Sequence, residues 1–313
     1  MNFVPIYVEE NHGPRVLAIV IVFPFLAAIT VALRVYTRVM IIKNPSSEDL
    51  CINVAMAIEV RWINIHAEVH YGLGRHVQAV SLKQTEGWLK SRYASIIIYN
   101  FGLLFTKLSI LLQYLRICVS VPVRHAVYGV IAFVIAYSIS SFFASIFTCT
   151  PVAYFWNPTI PGGRCVDKWA LYFANGGMSI VTDFAILVLP AILLKDLLLP
   201  MRQKVTLVAI LALGGAACIA SIVRLQVLCV LSKSQDPTWD SQGASTWSII
   251  ELNIGIICAS VSTLRPLFSW PLLKTPVPCN RRTTPTHLRR ISTRKPRGEG
   301  FNELEEGSFG PGR

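Results

Sequence analysis

The chain has 313 residues, 53% of them hydrophobic and only 15% charged, with a mean hydropathy of +0.52. Soluble domains carry about 25% charged residues, so composition argues against an ordinary soluble enzyme, a secreted disulfide scaffold or a disordered chain, and for a polytopic membrane protein. The net charge of +12 is uneven: from Lys274 onward nine Lys/Arg stand against four Glu.

Crossing the hydrocarbon core takes about 20 apolar residues in a helix. In chain order the candidate runs are 16–33, about 50–69, 94–117, 127–148, 169–194, 205–223 (continuing past Arg224 to Leu231) and 242–264. The first, fourth and sixth are free of charge over 18, 22 and 19 residues, and the other four hold one to three charges each. The expected fold is an all-α membrane protein, a seven-transmembrane helix bundle over 16–270. A short extracellular N-terminus, 1–15, precedes it, and a basic disordered cytoplasmic tail, 271–313, follows.

Lys and Arg in short loops set orientation. With the N-terminus outside, 18 fall on the cytoplasmic side, Arg34, Arg38, Arg116 and Arg124 among them, and eight on the outer side; ten of the 18 come from Arg265 and the tail. The reading is N-out, C-in. The first 14 residues are acidic, so no cleavable signal peptide is expected and the first span serves as its own anchor.

Five cysteines, Cys51, Cys118, Cys218, Cys229 and Cys258, lie in or beside apolar runs and read as small hydrophobes. Cys149 and Cys165 instead enclose the predicted outer loop 150–164, where a disulfide would contribute roughly 3 kcal/mol. The alternative is two unpaired thiols at the interface. Cys279, among Pro and Arg past the last run, is open to reversible palmitoylation.

Six ionisable residues fall well inside the spans: Glu59, Arg61, Lys107, Asp183, Arg224 and Glu251. Each would cost about 2.5–3.5 kcal/mol unpaired at mid-depth, but three acids and three bases can neutralise one another across helices. Glu59 and Arg61, two residues apart, point to different sides of their helix. Asn253 lies two beyond Glu251, and Ser179 and Thr182 flank Asp183. The set reads equally as an interhelical lock and as the lining of a ligand pocket. Gly214, Gly215, Ala216, Ala217, Ala220 and Ser221 form a small-residue patch that permits close helix approach. His66 and His70 share a helical face, yet the three or four ligands zinc needs are not in view, and no metal or cofactor is expected.

The ordered motifs resemble a known family. They are Leu33-Arg-Val-Tyr-Thr-Arg38, Glu48-Asp49, His70-Tyr-Gly-Leu-Gly-Arg-His76, Lys107-Leu-Ser-Ile-Leu-Leu-Gln-Tyr-Leu-Arg116, Cys149-Thr-Pro and Gly163-Arg-Cys165. Asp183 with Leu189-Pro190, Ala220-Ser-Ile-Val-Arg224 and Trp247-Ser-Ile-Ile-Glu251-Leu-Asn253 continue the series. Over about residues 30–268 the chain resembles the fungal rhodopsin-like, SAT4-type integral membrane proteins. The resemblance implies seven helices and a receptor-like role akin to Pth11-type proteins. It does not imply photochemistry, because the last span has no Lys to hold retinal as a Schiff base.

The leading expectation is therefore a plasma-membrane protein resembling a G-protein-coupled receptor, sensing a small or lipophilic ligand. Its partners would be the lipid bilayer, that ligand and a cytoplasmic signalling protein, with no nucleic acid. Arg289-Arg-Ile-Ser292 makes Ser292 a candidate phosphorylation site whose phosphate would weaken attraction of the tail to anionic lipid. The alternative is a membrane-embedded enzyme or tailoring factor acting on a lipophilic metabolite, with Glu59, Asp183 or Glu251 as general acids. A transporter is disfavoured by the lack of internal duplication.

Overall fold

The structure is a computed structural model, and it describes residues 13–43, 46–59, 68–117, 121–194 and 201–264. Among them run α1 (Gly13–Tyr36), α2 (Ser47–Glu59), α3 (Leu82–Ile117), α4 (Val121–Ile146), α5 (Lys168–Leu194), α6 (Met201–Ser232) and α7 (Pro237–Val261). Six stretches within them, Gly13–Ile42, Leu82–Arg116, Val121–Ile146, Lys168–Pro190, Leu211–Ser232 and Thr238–Val261, are long and apolar enough to cross a bilayer. The expected second span is described as the 13 residues of α2 and a helical piece over 68–70, and the residues between lie outside the description.

The helices are sorted by polarity in a way that suits lipid. On α1, Val16, Val20, Pro24, Ala27, Val31 and Arg34 are buried, a spacing of three and four that marks one helical face, while Ile21, Phe25, Leu26 and Ile29 are exposed. The exposed surface of the bundle carries large apolar side chains, among them Phe143, Phe184 and Val230, whereas Lys107, Arg224, Glu251 and Asn253 are buried. A soluble protein of this size would not bury charge and expose Phe so widely. Lipid takes the apolar side chains, and the interior takes the polar ones.

Consecutive helices pack side by side, α1 closes against α7, and α3 also touches α5 and α7. One apolar cluster joins α1, α2 and α7 through Ala27, Val31, Ile52, Met56, Leu252 and Ile256. A second joins α3, α4 and α5 through Leu111, Tyr114, Val127, Val134, Ile186 and Leu189.

The helix ends differ from the hydropathy reading for local reasons. Helix α3 starts at Leu82, well before residue 94, because residues 82–93 are charged but helical. There Ser81 and Gln84 satisfy each other's backbone N–H groups, at 3.0 and 3.4 Å, and Lys90 pairs with Glu86 at 2.7 Å one turn away. Helix α7 starts at Pro237, earlier than residue 242, since Asp236 accepts from the Trp239 N–H as the N-cap and Pro occupies the first turn.

At one end of the bundle, Cys149 and Cys165 form a disulfide and face each other across a two-residue antiparallel pair, β1 (Cys149–Thr150) with β2 (Arg164–Cys165). At the same end, the Tyr71-Gly-Leu-Gly74 turn uses φ of 117° at Gly72 and 83° at Gly74, values that L side chains rarely adopt. The turn drives Leu73, fully buried, between Val16, Val20, Trp88 and Ile249.

Candidate functional site

Four of the charges inside the bundle form one layer. Lys107 on α3 pairs with Asp183 on α5 at 2.9 Å, and its ammonium also donates to Thr182 Oγ1 at 2.7 Å and Ser179 Oγ at 3.1 Å. Arg224 on α6 pairs with Glu251 on α7, Nε to Oε2 at 2.8 Å. Ser221, one turn before Arg224, bridges the two pairs: its Oγ lies 2.7 Å from Asp183 Oδ2 and 2.7 Å from Glu251 Oε1. Tyr99 on α3 donates to Glu251 Oε2 at 2.7 Å, and the Arg224 guanidinium lies 4.9 Å from its ring centre. Four helices are thus tied by one continuous polar network in which each charge has an opposite partner. Burial of two ion pairs is tolerable only with such additional hydrogen bonds.

The other named residues sit elsewhere. Glu59 does not meet a base among the described residues; it accepts from the Asn253 amide at 2.7 Å, which joins α2 to α7. Arg61 and Ser292 lie outside the described residues, as do His66, Cys118 and Cys279. No group of three His, Cys, Asp or Glu placed to hold a metal ion occurs among the described residues.

A second ionic cluster, at the end of the bundle opposite the disulfide, was not recognised from sequence. Arg34 and Arg38 look like flanking loop charges there, yet both are buried. Arg34 Nε pairs with Asp49 at 2.8 Å, and its Nη1 donates to the Ala259 carbonyl at 2.7 Å, which Gln113 also reaches at 2.9 Å. Ala259 lies in the last turn of α7, where carbonyls lack helical partners. Arg38 pairs with Glu48, whose carboxylate also takes Arg116 at 3.1 Å. The readable signal was two Arg one helical turn apart, followed across a short loop by an acidic doublet in the first turn of α2. An acidic first turn also suits the helix dipole.

Cavities flank the central layer. On the disulfide side a cavity of about 140 Å³ is lined by Glu59, Glu68, Arg92, Tyr99, Tyr172 and Arg224, with apolar wall from Val20, Pro24, Ile96, Ile249 and Leu252. On the other side a cavity of about 50 Å³ is lined by Ile110, Tyr114, Leu187, Gly214 and Cys258, and Lys107, Asp183 and Glu251 form its boundary with the layer. Tyr99 and Arg224 therefore face the larger cavity while Glu251, which both of them hold, faces the smaller one. Gly214 narrows the space between α5 and α6, where an added Cβ would meet Leu187 Cδ1 at 3.0 Å.

An apolar exterior, a charged interior and, among the described residues, six membrane-length helices define a multi-pass, all-α membrane protein. The chain belongs to the fungal rhodopsin domain family, whose sequence profile matches residues 33–270. It is 32% identical over 209 residues to a SAT4 family membrane protein of Emericella nidulans, covering 66% of this chain and 52% of that protein. It is 26% identical to Receptor GIN3 of Arthrobotrys oligospora, covering 85% of this chain and 65% of the relative. It is also 26% identical to the polyenoic acids biosynthesis gene cluster protein Ba17b of Metarhizium anisopliae, covering 82% and 74%. The chain therefore spans between about half and two thirds of the length of the first two relatives. No solved structure matches it.

Proposed function

We propose that the protein is a receptor-like seven-helix protein of the plasma membrane, oriented N-out and C-in, that takes a small or lipophilic ligand into the cavity on the disulfide side. The ligand then acts on the opposite face, through the central ionic layer, toward a cytoplasmic signalling partner. One observation carries the reading: Tyr99 and Arg224 line the cavity and also hold Glu251, so a ligand that moves either side chain perturbs the layer directly. The relative named as a receptor supports the same reading. A lock with two arrangements, biased by an occupant of the cavity, is what a switch requires.

The test is a thermal-shift screen of the purified protein against lipophilic metabolites, with Asp183→Asn and Glu251→Gln beside wild type. A compound that raises the wild-type Tm and loses that effect in both variants supports the proposal. If nothing shifts wild type and both variants only melt earlier, the layer is purely structural and the proposal fails. A compound that is converted during the incubation points instead to the embedded enzyme.

A further inference from the structure

The proposed function leaves the ligand without a chemical class, and the larger cavity supplies one. Four acidic or basic side chains line it: Glu59, Glu68, Arg92 and Arg224. Arg224 is already matched by Glu251 at 2.8 Å, so its charge is spent within the layer. Glu68 is 1% exposed and accepts from the Ser245 hydroxyl at 3.5 Å, and no base is in ion-pair contact with it among the described residues. The Arg92 guanidinium lies 5.7 Å from the Trp88 ring centre. Glu59 has the neutral amide of Asn253 as its partner. Among the described residues the cavity thus holds two acidic side chains against one base outside the layer, in a wall otherwise made of aliphatic side chains with Tyr, Asn and Ser groups among them.

We propose that this cavity is a site for a small organic cation, a protonated amine on an apolar body of about one ring, with Glu68 and Glu59 as its counter-charges. The proposal rests on the receptor reading and names its ligand class. Size agrees: a cavity of about 140 Å³ is of the order of one that admits a benzene molecule. Chemistry agrees as well. A buried carboxylate that lacks a cationic partner gains most from a donor that brings both charge and hydrogen bonds. Tyr99 and Tyr172 on the lining add aromatic surface of the kind that favours a cation nearby.

The experiment compares three near-isosteric probes, 2-phenylethylamine, 2-phenylethanol and phenylacetate, binding at neutral pH to the full chain in lipid nanodiscs, with empty nanodiscs subtracted. For wild type the amine should bind at least about tenfold more tightly than the alcohol or the acid, a difference of about 1.4 kcal/mol. Glu68→Gln and Glu59→Gln should each remove most of that preference while leaving alcohol binding within about twofold, and the melting curve of each variant establishes that it is folded. Two results overturn the amine assignment while leaving the receptor reading standing: tighter binding of phenylacetate, which makes Arg92 the anchor, or equal binding of all three. Absence of binding by all three probes overturns the amine assignment too, and the screen against larger metabolites then decides the receptor reading separately.

Discussion

Replacing Glu251 by Gln is the sharpest perturbation of the central layer. Glu251 is 3% exposed, and its carboxylate faces four partners at hydrogen-bonding distance: Arg224 at 2.8 Å, Tyr99 at 2.7 Å, Ser221 at 2.7 Å and Ser179 at 3.4 Å. The amide keeps the shape but strands the Arg224 charge and turns an N–H₂ toward a hydroxyl that was donating. Stranding one member of a buried pair costs about 3–5 kcal/mol. At about 2–4 °C per kcal/mol for a chain of roughly this size, that is on the order of 10 °C in Tm. Arg224→Gln should cost a similar amount by stranding Glu251. The double variant should cost far less than the sum, because no unpaired charge is left, with a coupling of at least about 2 kcal/mol. Thermal unfolding of the four proteins in one detergent measures the cycle. Additive losses would refute the claim that these two residues are partners.

Three further outcomes follow from other sites. Arg34→Met should destabilise by about 3 kcal/mol, the low end for breaking a buried pair, since it leaves Asp49 only the longer ion pair to Arg38 at 3.5 Å and removes a donor from the Ala259 carbonyl; an unchanged Tm would count against the buried cluster. Cys149→Ser should cost about 2–5 kcal/mol and lower Tm only under oxidising conditions, so that the reduced wild type and the variant melt together. Asp236 gives a pH dependence: burial alone would raise its pKa, but hydrogen bonds from His76, Val77, Thr238 and Trp239 outweigh burial and hold the carboxyl below its ordinary 3.8. Because the folded value is the lower one, the stability Asp236 contributes is present in full above 3.8 and is lost as pH falls through the folded value. Tm should therefore drop less on acidification in Asp236→Asn than in wild type, and parallel curves would contradict the assignment.

How much of this could be read from sequence depended on the kind of signal. Apolar runs near 20 residues, three of them uncharged, located six spans because lipid demands them, but hydropathy could not see helix where it was densely charged, as in residues 82–93 of α3. Charge counting inside the spans named Lys107, Asp183, Arg224 and Glu251 but not their pairing, which depends on where each helix faces. The polar roles of Ser221 and Tyr99 were invisible for the same reason: a serine in a small-residue patch and a tyrosine in an apolar run look like packing until the carboxylates stand 2.7 Å away. Arg34 and Arg38 misled most. A base at a span end usually reaches out to water or headgroups, and here both turn inward because Glu48 and Asp49 stand across a short loop.

In the proposed function the central layer is the closure between the two cavities, and Cys258, buried on the far side of it, reports on that closure. N-Ethylmaleimide labelling of Cys258, with Cys51, Cys118, Cys218, Cys229 and Cys279 replaced by serine, is measured with Glu251 intact and with Glu251→Gln, well below either melting point. Breaking the layer should raise the labelling rate by about tenfold or more, since opening that costs about 1.4 kcal/mol less occurs ten times as often. Equal rates in the two proteins would mean that the layer does not gate the interior, and the proposed route from cavity to opposite face would fall.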